Sequence, residues 1–168
     1  MFTLNCKGRL LVLNKPIVMG IINVTPDSFY TGSRFSGTDA ILDIAERMIN
    51  DGATILDIGG QSTRPASEPI STDEELKRVI KPIEAIARRF SEAYISVDTY
   101  YSIVANEAVH AGAAIVNDIS AGKIDNQMIP VVSSLQVPYI LMHMQGTPQT
   151  MQKAPHYENV CREILDFF

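Results

Sequence analysis

The chain has 168 residues, 46% of them hydrophobic, with 14 Lys and Arg against 19 Asp and Glu, proportions that fit one globular domain and exclude disorder, a collagen repeat and a disulfide scaffold. A net charge of -5 and a pI near 5.1 give no general attraction to phosphate backbones or anionic lipid, so no nucleic acid and no membrane partner is expected, and a small molecule is. Cys6 and Cys161 lack metal or disulfide spacing, no apolar run reaches the roughly 18 residues of a membrane span, and the N-terminus lacks signal-peptide order. A soluble, cytoplasmic protein is the expectation.

In chain order, Thr3–Cys6 and Arg9–Leu13 flank Lys7-Gly8 and predict a short hairpin, an end cap with no role in a site. Five apolar runs follow, Pro16–Val24, Thr54–Gly60, Tyr94–Thr99, Ala114–Ile119 and Pro138–His143. Their near-continuous Ile, Val and Leu content predicts parallel strands covered on both faces. Between them lie helix patterns. Thr38 is placed to cap a helix bearing Ile41, Ile44, Ala45, Met48 and Ile49, with Gly52 to end it. Ser71 and Glu74 form a capping-box pattern ahead of Leu76, Val79, Ile80, Ile83 and Phe90, with Pro82 inside. Ile103–Ala111 is a third helix, stopped by Gly112. Asp125–Leu135 is a weaker fourth, interrupted by Pro130. Tyr157, Val160, Cys161, Ile164, Leu165 and Phe168 make the stripe of a fifth.

The order is a hairpin and then β-α five times, which means a parallel α/β sheet with right-handed crossovers. Two architectures compete. A five-stranded doubly wound sheet uses the whole length, whereas a TIM (β/α)8 barrel needs about 250 residues. Yet every strand ends in polar or glycine residues: Asn23, Asp57 with Gly59-Gly60, Asp98, Asn117-Asp118 and His143. An open sheet concentrates its site at one switch point, while a barrel gathers all strand ends at one mouth, so this pattern favours the barrel. The expectation is one domain over 1–168, a barrel carried through five of its eight units.

The loop after the first strand, Asn23-Val24-Thr25-Pro26-Asp27-Ser28-Phe29, offers hard oxygen donors of the kind that hold Mg²⁺ together with substrate phosphates. The loop after the second, Gly59-Gly60-Gln61-Ser62-Thr63-Arg64-Pro65, offers backbone N–H groups, hydroxyls and a guanidinium that match phosphate oxygens. Together they suggest a diphosphate substrate; each alone is equally well read as turn chemistry. Asp98 reads either as a ligand-binding carboxylate or as a helix N-cap. Asp57, in a β-branched run, is costly to bury without partners, and either acts in the site or orients its neighbours. His110 suits a helix C-terminus, His143 and His156 lack ligand spacing, and Met142-His143-Met144 reads as core. No Gly-x-Gly-x-x-Gly supports a dinucleotide cofactor.

These loop motifs, with Ile95-Ser96-Val97-Asp98-Thr99, Asn117-Asp118 and Leu141-Met142-His143-Met144-Gln145-Gly146, resemble the dihydropteroate synthases in order and spacing over essentially the whole chain. The resemblance implies a TIM-barrel transferase of folate biosynthesis. Such an enzyme joins 6-hydroxymethyl-7,8-dihydropterin diphosphate to 4-aminobenzoate, releases diphosphate, uses Mg²⁺ and forms a homodimer at full length. It places Asp98 and Asn117 against the pterin, Ile119 and Met142 about its rings, and Mg²⁺ on Asn23. Thr63 and Arg64 fall near the diphosphate, and Asp27 near the reacting methylene or in an arylamine pocket with Phe29 and Pro65. There are departures. Tyr30-Thr31-Gly32-Ser33 replaces a common Asp-Gly-Gly, Gln61 stands where Glu is common and Ala66 where Gly is. The family's later Asp-Pro-Gly strand, its Lys on the seventh strand and its Arg-x-His on the eighth have no counterpart here. A pterin-binding methyltransferase domain shares the strand-end Asp and Asn but needs no diphosphate loop, and an inactive pterin-binding fragment is a third reading.

Overall fold

The computed structural model describes residues 1–25, 37–61 and 69–168. The chain opens with the expected hairpin, β1 (Phe2–Cys6) paired antiparallel with β2 (Arg9–Leu13). Lys7 and Gly8 both take positive φ, 53° and 83°, the geometry in which a two-residue turn follows the twist of its strands. Basic side chains tie the hairpin to helix ends. The Arg9 guanidinium donates to the carbonyls of Ser91, Glu92 and Ala93 and lies 4.3 Å from the Tyr94 ring centroid, and Lys7 Nζ donates to Val109 O. Cys6 and Leu11 pack on Ile55, Ile115, Met19 and Tyr94. Burial pushes the Cys6 thiol up, against the opposing charge of Arg9, which suits a packing role over a reactive one.

The main sheet holds β3 (Val18–Asn23), β4 (Ala53–Gly59), β5 (Tyr94–Asp98), β6 (Ile115–Asp118) and β7 (Tyr139–Leu141), all parallel and in chain order. Helices α1 (Gly37–Asn50), α2 (Thr72–Arg89), α3 (Ser102–Ala111) and α4 (Met128–Leu135) each pack on the next along one side of it. A doubly wound sheet reverses its order and carries helices on both faces; consecutive order with one helical layer is the arc of a barrel. The pleat then sorts the side chains. Ile22, Leu56, Ile58, Ile95, Val97 and Val116 enter the core shared with the helices. The opposite face carries Ile55 and Ile115 at the bottom, against the hairpin, and polar residues at the top. The hairpin therefore stoppers the N-terminal end of the inner face and leaves the C-terminal end for the site.

Local boundaries follow the expected signals with instructive exceptions. Ser71 Oγ accepts from Glu74 N at 3.3 Å as the N-cap of α2. Helix α1 already begins at Gly37, so Thr38 lies in its first turn and is not its cap. Helix α4 begins at Met128, not at Asp125. Pro130 therefore sits in its first turn, where the missing N–H costs nothing, and does not interrupt it. Asp125 serves as an anchor instead. Its Oδ2 accepts from Ser102 N, the first residue of α3, at 2.7 Å, and its Oδ1 accepts from Gln127 N at 2.9 Å. Burial raises this carboxyl, but the bonds from Ser102 and Gln127 outweigh it and hold the group below the usual range.

The last helix, α5 (Val160–Phe167), starts after Tyr157 and buries none of its residues; Leu165 is 76% exposed. The apolar stripe is real but largely exposed, with only Tyr157 and Ile164 half-buried. Its N-terminus carries a reciprocal cap that the sequence reading passed over, in which Asn159 Oδ1 accepts from Arg162 N and Glu163 Oε1 accepts from Asn159 N, both at 3.0 Å. Met142, His143 and Met144 are half-buried at the rim, not core.

Gly112, which ends α3, has φ 130°, and a Cβ there would lie 2.7 Å from Ala87 Cβ. Gly52 has φ 103° with open space around it. Gly112→Ala is expected to destabilise by about 3 kcal/mol, the sum of left-handed strain and overpacking, and Gly52→Ala by about 1 kcal/mol from strain alone. Urea unfolding midpoints at unchanged slope measure both.

Candidate active site at the strand ends

Parallel register sets the site. Asn23, Gly59, Asp98 and Asn117 are successive partners across four strands, and Asp57 and Ser96 are partners two residues below. Gly59 makes room in this row, since a Cβ there would sit 3.3 Å from Asn23 Oδ1 and 3.4 Å from Asp98 Oδ2. Two polar side chains thus converge over the middle strand.

Beneath them Asp57 is 2% exposed and accepts from Asn117 Nδ2 at 3.0 Å. Burial pushes its carboxyl up, with nearby Ser96 and Asn117 pulling the other way. Asp57 Oδ1 and Ser96 Oγ are buried without a well-formed hydrogen bond. Asp57 orients Asn117, then, and also keeps an unused acceptor oxygen.

Asp98 is pushed up to about 7, by burial first and then by the negative charges of Asp57, Glu75 and Asp118. A carboxyl that changes charge near neutrality at a strand end is a functional signature. It is not a helix cap: α3 starts at Ser102, whose N–H goes to Asp125, and Thr99 Oγ1 takes the N–H of Tyr101.

Two buried acids have roles that the sequence did not assign, Asp118, which it marked only as part of a strand-end motif, and Glu75. Asp118 is fully buried and fully bonded, accepting from Ser120 N, Ser120 Oγ, Gly122 N and Tyr139 Oη at 2.7–2.8 Å. Met142 N donates to its carbonyl at 3.1 Å. In Asn117-Asp118, therefore, the Asn faces the site while the Asp ties down the loop that begins with Ile119 and fixes Met142 beside it. Glu75, in the first turn of α2, is also fully buried. Its signal was a charge in the helix's apolar stripe, in line with Val79, Ile83 and Ile86. Its Oε2 accepts from Gln61 Nε2 at 2.8 Å.

Asp27, Phe29, Thr63, Arg64 and Pro65 lie outside the described residues. Among the described residues no cluster of three His, Cys, Asp or Glu could hold a metal. Asn23 is exposed at the end of β3, and one amide oxygen there fits a hard cation that keeps waters and takes most ligands from substrate phosphates. His143 packs against the rings of Tyr157 and Phe167, and exposed His110 contacts Asn106 O. A cleft of about 500 Å³ opens among the loops, between Pro69, Tyr101, Ser120, Lys123 and Met144, but none of the strand-end residues lines it. No helix among the described residues is long and apolar enough to cross a membrane.

The family model described as "Pterin binding enzyme" matches residues 19–168. The chain belongs to the pterin binding enzymes. It is 44% identical over 164 residues to a dihydropteroate synthase of Haemophilus influenzae, covering 98% of this chain and 59% of that protein. Its fold is similar to a Yersinia pestis dihydropteroate synthase solved with a sulfonamide drug, at a TM-score of 0.87 and 43% identity, over 99% of this chain and 60% of the other. The Xanthomonas albilineans dihydropteroate synthase gives TM-scores of 0.85 with 4-aminobenzoic acid and 0.82 with 7,8-dihydropteroate, at 41% and 39% identity, over 98% of this chain and 57% and 56% of those chains. The chain thus spans about three-fifths of the length of these pterin-binding relatives.

Because Asp98 sits at about 7 when folded against about 3.9 for an ordinary aspartate, the folded state binds more protons between those values, and stability must fall as pH rises from about 4 to 7. Asp57 and Glu75 are shifted in the same direction. Asp98→Asn is expected to flatten the fall without abolishing it, as read from melting temperature across that pH range.

Proposed function

We propose that this chain carries the pterin-binding strand ends of a dihydropteroate synthase, a soluble cytoplasmic transferase that acts on a pterin diphosphate and 4-aminobenzoate. The observation that carries this reading is the row Asn23, Asp98 and Asn117 over buried Asp57, in a chain 44% identical to a named dihydropteroate synthase. A pterin presents ring N–H and amino donors along one edge, and ionised Asp98 with the spare oxygen of Asp57 can accept from them. Asn117, held by Asp57, supplies an amide of fixed orientation. Ile119 and Met142 flank the rings.

In the reaction the arylamine nitrogen bonds to the pterin methylene carbon as the C–O bond to diphosphate breaks. The bonding pair leaves with diphosphate, and the amine gives up a proton. Thr63 and Arg64 meet the departing anion through hydroxyl and guanidinium. Asp27 faces the positive charge growing on the methylene, with Phe29 and Pro65 forming the arylamine pocket. Asn23 is the protein ligand for Mg²⁺, which when bound neutralises charge on the leaving group. Residues 1–168 act as one pterin-binding domain, and at the relatives' length the protein is a homodimer.

Calorimetry on the chain tests this. Asp98→Asn is expected to lose about 1.5–3 kcal/mol toward a pterin analogue, the worth of a hydrogen bond to a charged group, and little toward diphosphate; equal losses would indicate general unfolding. Pterin affinity should fall as pH drops below about 7, where Asp98 takes up its proton. Arg64→Ala should weaken diphosphate binding, and unchanged affinity would remove Arg64 from the site. A methyltransferase domain would bind a pterin with or without its diphosphate equally well.

A further inference from the structure

Glu75 is a charged residue with no exposure in the first turn of α2, where its neighbouring acids Asp73 and Glu74 reach solvent. Burial pushes its carboxyl up, with Gln61, Thr99 and Arg78 pulling the other way. Such a group is costly to bury and is not part of the strand-end row. Its position explains what it holds. Helix α2 presses against Gly60, where a Cβ would come within 2.9 Å of both Glu75 Cγ and Val79 Cγ1. Glu75 Oε2 then accepts from Gln61 Nε2 at 2.8 Å. The same Gln61 amide pairs with the main chain nine residues on, its Oε1 accepting from Ile70 N at 3.2 Å and its Nε2 reaching Ile70 O at 3.5 Å. Tyr101 Oη donates to Ile70 O at 3.1 Å, and Arg78 Nη1 to Gly60 O at 3.1 Å. Both ends of the excursion between Gln61 and Ile70 are therefore pinned together from α2 and from the β5–α3 connection.

We propose that Glu75 is a positioning residue that acts through Gln61 to clamp the base of this excursion, so that the anion-binding groups it carries meet a diphosphate at low ordering cost. This rests on the reading of Thr63 and Arg64 as diphosphate ligands. Glu75 works as a buried acceptor that fixes one face of the Gln61 amide, leaving the other for Ile70. A neutral acceptor of the same shape should serve as well, whereas an apolar side chain of that shape should not.

The test is titration of the 168-residue chain with inorganic diphosphate and, separately, with a pterin analogue, together with amide hydrogen exchange at Ile70. Gln61→Ala and Glu75→Leu are each expected to lose roughly tenfold in diphosphate affinity through lost preorganisation. Pterin affinity, measured at a pH well above 7 where Asp98 is ionised with or without the Glu75 charge, should hold, and Ile70 exchange should quicken. The double variant should lose no more than either single one, since both act through one contact, and Glu75→Gln should restore binding to near the parent value. Additive losses, or Glu75→Gln as damaging as Glu75→Leu, overturn the proposal. If Arg64→Ala binds diphosphate as the parent does, the reading of the segment as an anion site fails, and the clamp's purpose with it. If Arg64→Ala weakens binding while Gln61→Ala and Glu75→Leu do not, the clamp alone fails.

Discussion

Four carboxyl groups gathered at one end of a parallel sheet are the constraint on which the rest of this structure depends. Asp57, Asp98 and Asp118 come from three adjacent strands, and Glu75 from the helix packed behind them. In a site this enclosed, like charges raise one another, and each group must be bonded, protonated or left for a ligand. The fold answers differently in each case. Asp118 is saturated by four donors. Glu75 is bonded on one oxygen by Gln61, Asp57 on one oxygen by Asn117, and Asp98 carries the largest share of the mutual repulsion. Asp57 and Glu75 each keep one buried oxygen without a partner, and Asp98, at a strand end of the inner face, is the acid a donor-rich ligand would meet. The site is in this sense an unfinished hydrogen-bond network, with acceptor oxygens left over.

The scaffold makes that arrangement tolerable by dividing labour along the strands. At the bottom of the inner face apolar residues meet the hairpin, which Lys7 and Arg9 fasten to the carbonyl ends of the helical layer. At the top, glycines let other groups approach: Gly59 admits Asn23 and Asp98, and Gly60 admits helix α2. Asp118 and Asp125 are polar residues spent on loop geometry, one fixing the turn after β6 and the other joining the start of α3 to the approach of α4. Loops held this firmly at their bases can present side chains at a set distance from the strand ends.

The hairpin, the five strands and the caps at Ser71 and Gly112 were legible because they rest on local physics: positive φ at glycine, side-chain capping, and the apolar content of buried strands. The misread boundaries at Thr38, Asp125 and Tyr157 share a cause, since a polar or aromatic residue near a helix end reads the same whether it caps, anchors or trails. Asp125 shows this plainly, because its partner Ser102 is 23 residues away. The roles of Glu75 and of Asp118, the latter named only as part of a strand-end motif, went unread for a related reason. Glu75's partner Gln61 is distant in the chain, and although Ser120 and Gly122 bond Asp118 locally, the Tyr139 hydroxyl that completes its set comes from the next strand, where no local pattern marks it.

By itself the sequence determined the β-α alternation, the motifs that mark the pterin-binding family, and which residue types stand at the strand ends, because each is written in spacing and composition. Length even argued for the wrong architecture. The polar strand ends and the family motifs favoured the barrel against that length, and the tertiary structure settled it, since strand order and the side on which helices pack are properties of pairing. Only the register of four strands brought Asn23, Asp98 and Asn117 into one row above Asp57. The charge state of Asp98 was decided there too. A carboxyl's pKa is set by which charges and how much water surround it, and those neighbours come from β4, α2 and β6.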